Sequence, residues 1–103
     1  MRLENKKAIV TGGAGGIGRA TSLALAAEGA AVAVVDLNAD AAEAVAEEIR
    51  AAGGTAMAIA ADVASEADIE RVVATSLAEL GGVNVVFNNA GIIRRTTAVE
   101  TTV

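Results

Sequence analysis

A chain of 103 residues leaves room for one domain built on one hydrophobic core. Apolar side chains make up 53% of it, which excludes disorder, and eight basic against thirteen acidic residues give a net charge of −5, with no basic footprint for nucleic acid. Cysteine, histidine, tyrosine and tryptophan are absent, so disulfides and thiolate or imidazole metal sites are excluded, and any acid–base or nucleophilic chemistry falls to carboxylates, Lys, Ser and Thr.

The N-terminal residues 1–7 carry charges and lead into only a brief apolar run, without the length or cleavage signal of a secretory peptide; the expected compartment is the cytoplasm. The longest apolar runs, Ala30–Val35 and Ala56–Ala61, are too short to span a bilayer. A first strand is predicted over Lys6–Thr11. It runs into Thr11-Gly12-Gly13-Ala14-Gly15-Gly16-Ile17-Gly18 and then into an alanine-rich helix. A strand that passes through a glycine-rich turn into a helix gathers unpaired backbone N–H groups and the positive end of the helix dipole at one point, which suits a pyrophosphate. The glycines permit the tight turn, the approach of phosphate to backbone and the close packing of helix on strand. On its own such a cluster is also compatible with a merely permissive loop.

The first helix is expected over Gly16–Glu28 with Ile17, Ala20, Ala24 and Ala27 buried, ending at Gly29. A second strand, Ala31–Asp36, leads to a helix capped by Asn38 that buries Ala42, Val45, Ile49 and Ala52 and stops at Gly53-Gly54. A third strand, Thr55–Ala60, precedes a helix capped by Ser65. Asp68 there imitates a capping box less well than Glu would, and Ile69, Val73, Leu77 and Leu80 make the stripe. The fourth strand is Val83–Asn88.

This rhythm is α/β: a Rossmann-like, doubly wound parallel sheet of order 3-2-1-4, cut off after the fourth strand, with two helices on one face and one on the other. The sequence stops where a further helix is due, so the fourth strand is expected at the edge, with Val85, Phe87, Ile9 and Val10 open to water and the chain prone to self-association. The switch point lies between strands one and four, where open α/β sheets bind ligands. Asp36 ends strand two, eighteen residues after Gly18, where a carboxylate can accept from both ribose hydroxyls of an adenosine and repel a 2′-phosphate. Leu37 follows it, and no basic side chain is there to neutralise a phosphate. Asp62-Val63 either offers a carboxylate to the adenine amine and an apolar flank to the ring, or shapes the turn before Ser65. Asn88-Asn89-Ala90-Gly91 either lies beside the glycine turn as part of the site or forms a plain Asx loop.

Thr-Gly-x-x-x-Gly-x-Gly at Thr11–Gly18, Asp36 at the end of strand two, Asp62-Val63 and Asn88-Asn89-Ala90-Gly91 together resemble the short-chain dehydrogenase/reductases, in matching order and spacing throughout. Gly13, Gly15 and Gly18 also fit the general dinucleotide pattern, while Gly12, Gly16 and Gly18 fit the short-chain one; the Asn-Asn-Ala-Gly segment favours the latter. The resemblance implies that Thr11 and the Asn-Asn-Ala-Gly segment tie strand one to strand four. It also implies that Gly12, Gly15, Gly16, Gly18 and Ile17 hold the pyrophosphate and its flank, that Asp36 selects NAD over NADP, and that Asn89, Ala90 and Gly91 line the cofactor channel. The family transfers hydride between nicotinamide and an alcohol or ketone with a Ser, a Tyr-x-x-x-Lys pair and an Asn, none of which is found here in its place. Residues 1–103 therefore resemble the cofactor-binding part of a dehydrogenase that is a homo-oligomer when complete and is inactive as this chain alone, with no catalytic or metal site in it. A stand-alone NAD-binding or sensing module is the alternative. Arg94-Arg95 either faces an acidic substrate or is solvated loop charge.

Overall fold

The computed structural model describes residues 2–89. Its elements in chain order are β1 (Lys7–Thr11), α1 (Gly16–Ala27), β2 (Ala31–Asp36), α2 (Ala39–Ala51), β3 (Thr55–Ala60), α3 (Glu66–Leu80) and β4 (Val85–Asn88). All strand pairs are parallel and the sheet order is β3-β2-β1-β4, as the crossover argument requires. The fourth strand is two residues shorter than expected, because Val83 and Asn84 precede the ladder. Asn84 instead spends its side chain on the Lys7 N–H, at 2.7 Å.

The register brings the carboxyl ends of the strands level. Thr11 lies opposite Val35 on one side and Asn88 on the other, and Asp36 lies opposite Ala60. Alternation along the strands sorts the core into two layers. Val10, Val32 and Val34 pack with Ala42, Val45, Ala46 and Ile49 of α2 and with Leu25 and Ala26 of α1. On the other face Ile9, Ala33, Val35 and Val86 pack with Val72 and Leu80 of α3.

Local chemistry sets the ends of the helices. The Asn38 side chain accepts from the Ala41 N–H at 3.0 Å and the Ser65 hydroxyl from the Asp68 N–H at 3.2 Å, so each satisfies a donor the helix cannot pair internally. At the close of α2 the Gly54 N–H reaches the Ile49 carbonyl and Gly53 reaches Arg50, and at the close of α1 Ala30 reaches Leu25 and Gly29 reaches Ala26, the paired bonds of a Schellman stop.

Four burial expectations are corrected. Ile17, Ala20, Ala24 and Ala27 are exposed, and α1 turns Gly18 and Ser22 inward instead. Alanine marks no face by its hydropathy; the contact of Gly18 with the turn fixes the helix's rotation. On α2 Ala46 is buried and Ala52 is exposed, just past the last helical turn. On α3 Val72 and Ser76 are buried, Val73 is half-buried and Leu77 is 51% exposed. The inward line takes steps of three, four and four residues through Ile69, Val72, Ser76 and Leu80, so in its middle the buried face lies one residue before the expected stripe. Finally, Ile9 and Val10 are 2% and 0% exposed, because β1 is an inner strand with helices over both faces, and Val85 and Phe87 are half-buried.

Candidate cofactor site

The turn from β1 into α1 is held by contacts that leave its outer side open. Gly12 sits at φ 62°, a left-handed conformation that strongly favours glycine there, and Gly16 at φ 44°. A Cβ on Gly18 would lie 1.9 Å from the Gly12 carbonyl oxygen, so no other residue lets α1 sit this close to the strand end. A Cβ on Gly15 or Gly16 would meet nothing within 4 Å, so the backbone there faces free space. Gly15 is the N-cap of α1, in extended conformation, and supplies no side-chain acceptor; the first turn of α1 contains no acidic residue. The positive end of α1 is thus neither capped nor neutralised.

Asp36 is joined to this turn. One carboxylate oxygen, Oδ2, accepts from the Ala14 N–H at 3.1 Å, and Oδ1 accepts from the Asn38 N–H at 3.1 Å. The Gly13 N–H donates to the Val35 carbonyl at 3.0 Å, so two consecutive turn amides rest on the end of β2. Beside them opens a cleft of about 270 Å³ lined by Gly12, Asp36, Leu37, Ala61, Asp62, Val63 and Ala64. Leu37 on its wall is 73% exposed, and Ile17 in the first turn of α1 is 68% exposed.

Asp62 shapes its turn as one reading expected. Its Oδ1 accepts from the Ala64 N–H at 2.9 Å, and its carbonyl accepts from the Ser65 N–H at 2.9 Å. Asp68, too short to complete a reciprocal box with Ser65, accepts from the Asp62 N–H at 2.8 Å instead. Asp62 nonetheless lies on the wall of the cleft, so the two readings are compatible.

The ends of β1 and β4 are stitched together. The Thr11 hydroxyl donates to Asn88 Oδ1 at 2.7 Å and accepts from the Asn89 N–H at 3.1 Å, and Asn89 Nδ2 donates to the Gly12 carbonyl at 3.4 Å. That carbonyl is the one against which Gly18 packs, so β4 and α1 grip the same peptide. Ala90, Gly91, Arg94 and Arg95 lie outside the described residues.

Two features went unread in the sequence. Gly13 is buried where a Cβ would come within 2.9 Å of the Val10 carbonyl and of Val34 Cγ1, and its place in the general glycine pattern was the signal for it. Arg19 binds Glu48 of α2 through two bonds, one of 2.9 Å from Nε, and this hydrogen bond holds the Glu48 carboxyl below the usual carboxylate range. No local pattern announces a pair 29 residues apart. Among the described residues no group of three potential ligands gathers as a metal site, and no helix is long and apolar enough to cross a membrane.

A doubly wound parallel sheet with a glycine turn at its switch point defines a Rossmann-fold domain of the dehydrogenase type. Residues 6–103 match the family described as short chain dehydrogenase, and the chain belongs to that family of oxidoreductases. It is 46% identical over 102 residues to a sorbitol dehydrogenase of Cereibacter sphaeroides, covering 99% of this chain and 39% of that one. It is 42% identical over 91 residues to a 7alpha-hydroxysteroid dehydrogenase of Escherichia coli K12, covering 88% of this chain and 36% of the relative. Among solved structures it resembles a 7 alpha-hydroxysteroid dehydrogenase complexed with NADH and 7-oxo glycochenodeoxycholic acid, with a TM-score of 0.86 at 42% identity over 88% of this chain and 36% of that one. The chain thus spans under two fifths of the length of these relatives.

Proposed function

We propose that residues 1–103 form the cofactor-binding part of an NAD-dependent short-chain oxidoreductase that, as a whole, moves hydride between nicotinamide and an alcohol or ketone. The observation that carries this reading is the meeting, at one end of the sheet, of an uncapped helix start, open backbone at Gly15 and Gly16, and the Asp36 carboxylate. When bound, the dinucleotide supplies the hydride acceptor or donor.

The chain's own residues bind and orient it. The N–H groups of Gly15, Gly16 and Ile17 face the pyrophosphate, Gly12 and Gly18 give the turn its shape, and the Ile17 side chain flanks the phosphates. Asp36 accepts from the adenosine ribose hydroxyls, with Leu37, Asp62 and Val63 around the adenine, while Asn89, Ala90 and Gly91 continue the channel toward nicotinamide. The catalytic Ser, Tyr and Lys belong to sequence this chain does not contain, so it alone transfers no hydride. A cytoplasmic setting and a homo-oligomeric complete protein accompany this reading.

Placing a 2′-phosphate beside Asp36 costs about 1–3 kcal/mol, so NAD is favoured roughly tenfold or more. Titration of the chain with NAD and with NADP by calorimetry tests the assignment. Tighter binding of NAD supports it, and equal or tighter binding of NADP overturns it. A stand-alone binding module is distinguished at the gene: an open frame beyond Val103 encoding Tyr-x-x-x-Lys supports the dehydrogenase, and its absence supports the module.

A further inference from the structure

A carboxylate has two oxygens and about four lone-pair positions. In Asp36 each oxygen already accepts one backbone N–H, Oδ2 from Ala14 in the glycine turn and Oδ1 from Asn38 at the head of α2, both at 3.1 Å. One position per oxygen is left, which matches the two hydroxyls of a vicinal diol. We propose that Asp36 is a positioning residue for the pyrophosphate turn as well as the ribose ligand: its inner lone pairs clamp the turn and the start of α2 in place, and its outer ones read the diol. The inference rests on the NAD reading of this site and adds to it a coupling between ribose recognition and phosphate binding.

The burial of the residues supports the clamp. Asp36 is half-buried at the strand end, and the adjacent Gly13 N–H is fixed by the Val35 carbonyl, so Ala14 is the next amide of the turn to be held. Asparagine in place of Asp36 has one acceptor oxygen where the carboxylate has two, so either Ala14 or Asn38 loses its partner and the amide NH₂ faces an N–H. A substitution that removes the charge to admit a 2′-phosphate therefore also loosens the phosphate turn. Such variants bind every dinucleotide more weakly, since the turn must be ordered on binding.

The test separates the two roles with a cofactor that cannot use the first. Binding of NAD, and of an NAD analogue with a 2′,3′-dideoxy adenosine ribose, is measured by calorimetry for the wild-type chain and for Asp36→Asn. A clamp predicts that Asp36→Asn weakens the dideoxy analogue about tenfold although that ligand has no hydroxyls to lose. If the variant binds the analogue as the wild type does, Asp36 acts through the ribose alone and the inference is overturned. A second readout needs neither cofactor nor variant. In the unliganded wild-type chain, a through-hydrogen-bond coupling between the Ala14 amide nitrogen and Asp36 Cγ is expected by NMR, and its absence removes the clamp even where NAD binds. Failure of NAD to bind while this coupling is present would count against the proposed function and leave the clamp standing.

Discussion

The three helices among the described residues begin in two different ways. α2 and α3 start on side chains that accept from their own first turn, Asn38 and Ser65, and carry acids there: Asp40 in one, Glu66 and Asp68 in the other. α1 starts on Gly15, without a capping side chain and without an acid in its first turn. The first arrangement satisfies the helix's orphan donors and complements its dipole from within. The second leaves both to something outside, and it stands at the switch point beside a half-buried carboxylate. Under the proposed function, local helix stability is given up at α1 for a phosphate-binding surface.

The comparison is broken most completely at Gly18. Alanine there would place Cβ 1.9 Å from the Gly12 oxygen, and α1 must move away from the turn. A loss of about 3 kcal/mol or more is expected in chemical denaturation, with NAD binding abolished; a variant that melts like the wild type would mean that α1 does not pack as described. Gly15→Asp sharpens the contrast by giving α1 the cap its neighbours have. The extended backbone at Gly15 suits an N-cap, so stability is expected to hold or rise by a few tenths of a kcal/mol, while the new charge at the phosphate position reduces NAD affinity tenfold or more. Calorimetry and melting on the same sample read both effects, and unchanged affinity would count against phosphate binding at this helix start.

Removing a cap that serves only structure has the opposite profile. Ser65→Ala is expected to lower stability by about 1 kcal/mol in urea titration and to leave the NAD dissociation constant within twofold. The smallest effect is expected from Glu48→Gln. Because the Arg19 hydrogen bond lowers the Glu48 carboxyl in the folded state, the pair's contribution is present above the ordinary carboxylate range and is lost as the pH falls through the folded value. Both groups are exposed, so the variant should differ slightly from the wild type in melting temperature at about pH 7, the difference should shrink as the pH is lowered below the ordinary carboxylate range, and salt should reduce it at neutral pH.

The sequence was most legible where one residue type has one physical use. The glycine turn, the Asn38 and Ser65 caps, the glycine stops and the strand order follow from conformational limits and crossover geometry, and each is found where those limits put it. Faces made of alanine were not legible. Ala20, Ala24 and Ala27 lie outward because the backbone contact of Gly18 with Gly12 fixes the rotation of α1, and nothing in the hydropathy of alanine opposes it. On α2, where Val45 and Ile49 differ sharply from Glu43, Glu47 and Glu48, the buried face agrees with the sequence except at two alanines, Ala46, which is buried, and Ala52, which is exposed. Within the site, Asp36 and the glycines were singled out, but the carboxylate's bond to Ala14 was not, because a contact between two loops depends on how far the turn folds back over β2.

The contrast between the helix starts is tested most directly by mapping backbone amide shifts of the isotope-labelled chain as NAD is added. If α1 begins at the pyrophosphate, the largest shifts fall on Gly15, Gly16 and Ile17, with smaller ones on Ala14 and Leu37, while the first turns of α2 and α3 beyond Asn38 and Ser65 stay in place. Shifts of equal size at all three helix starts, or none at Gly15 and Gly16 under saturating NAD, would contradict the account.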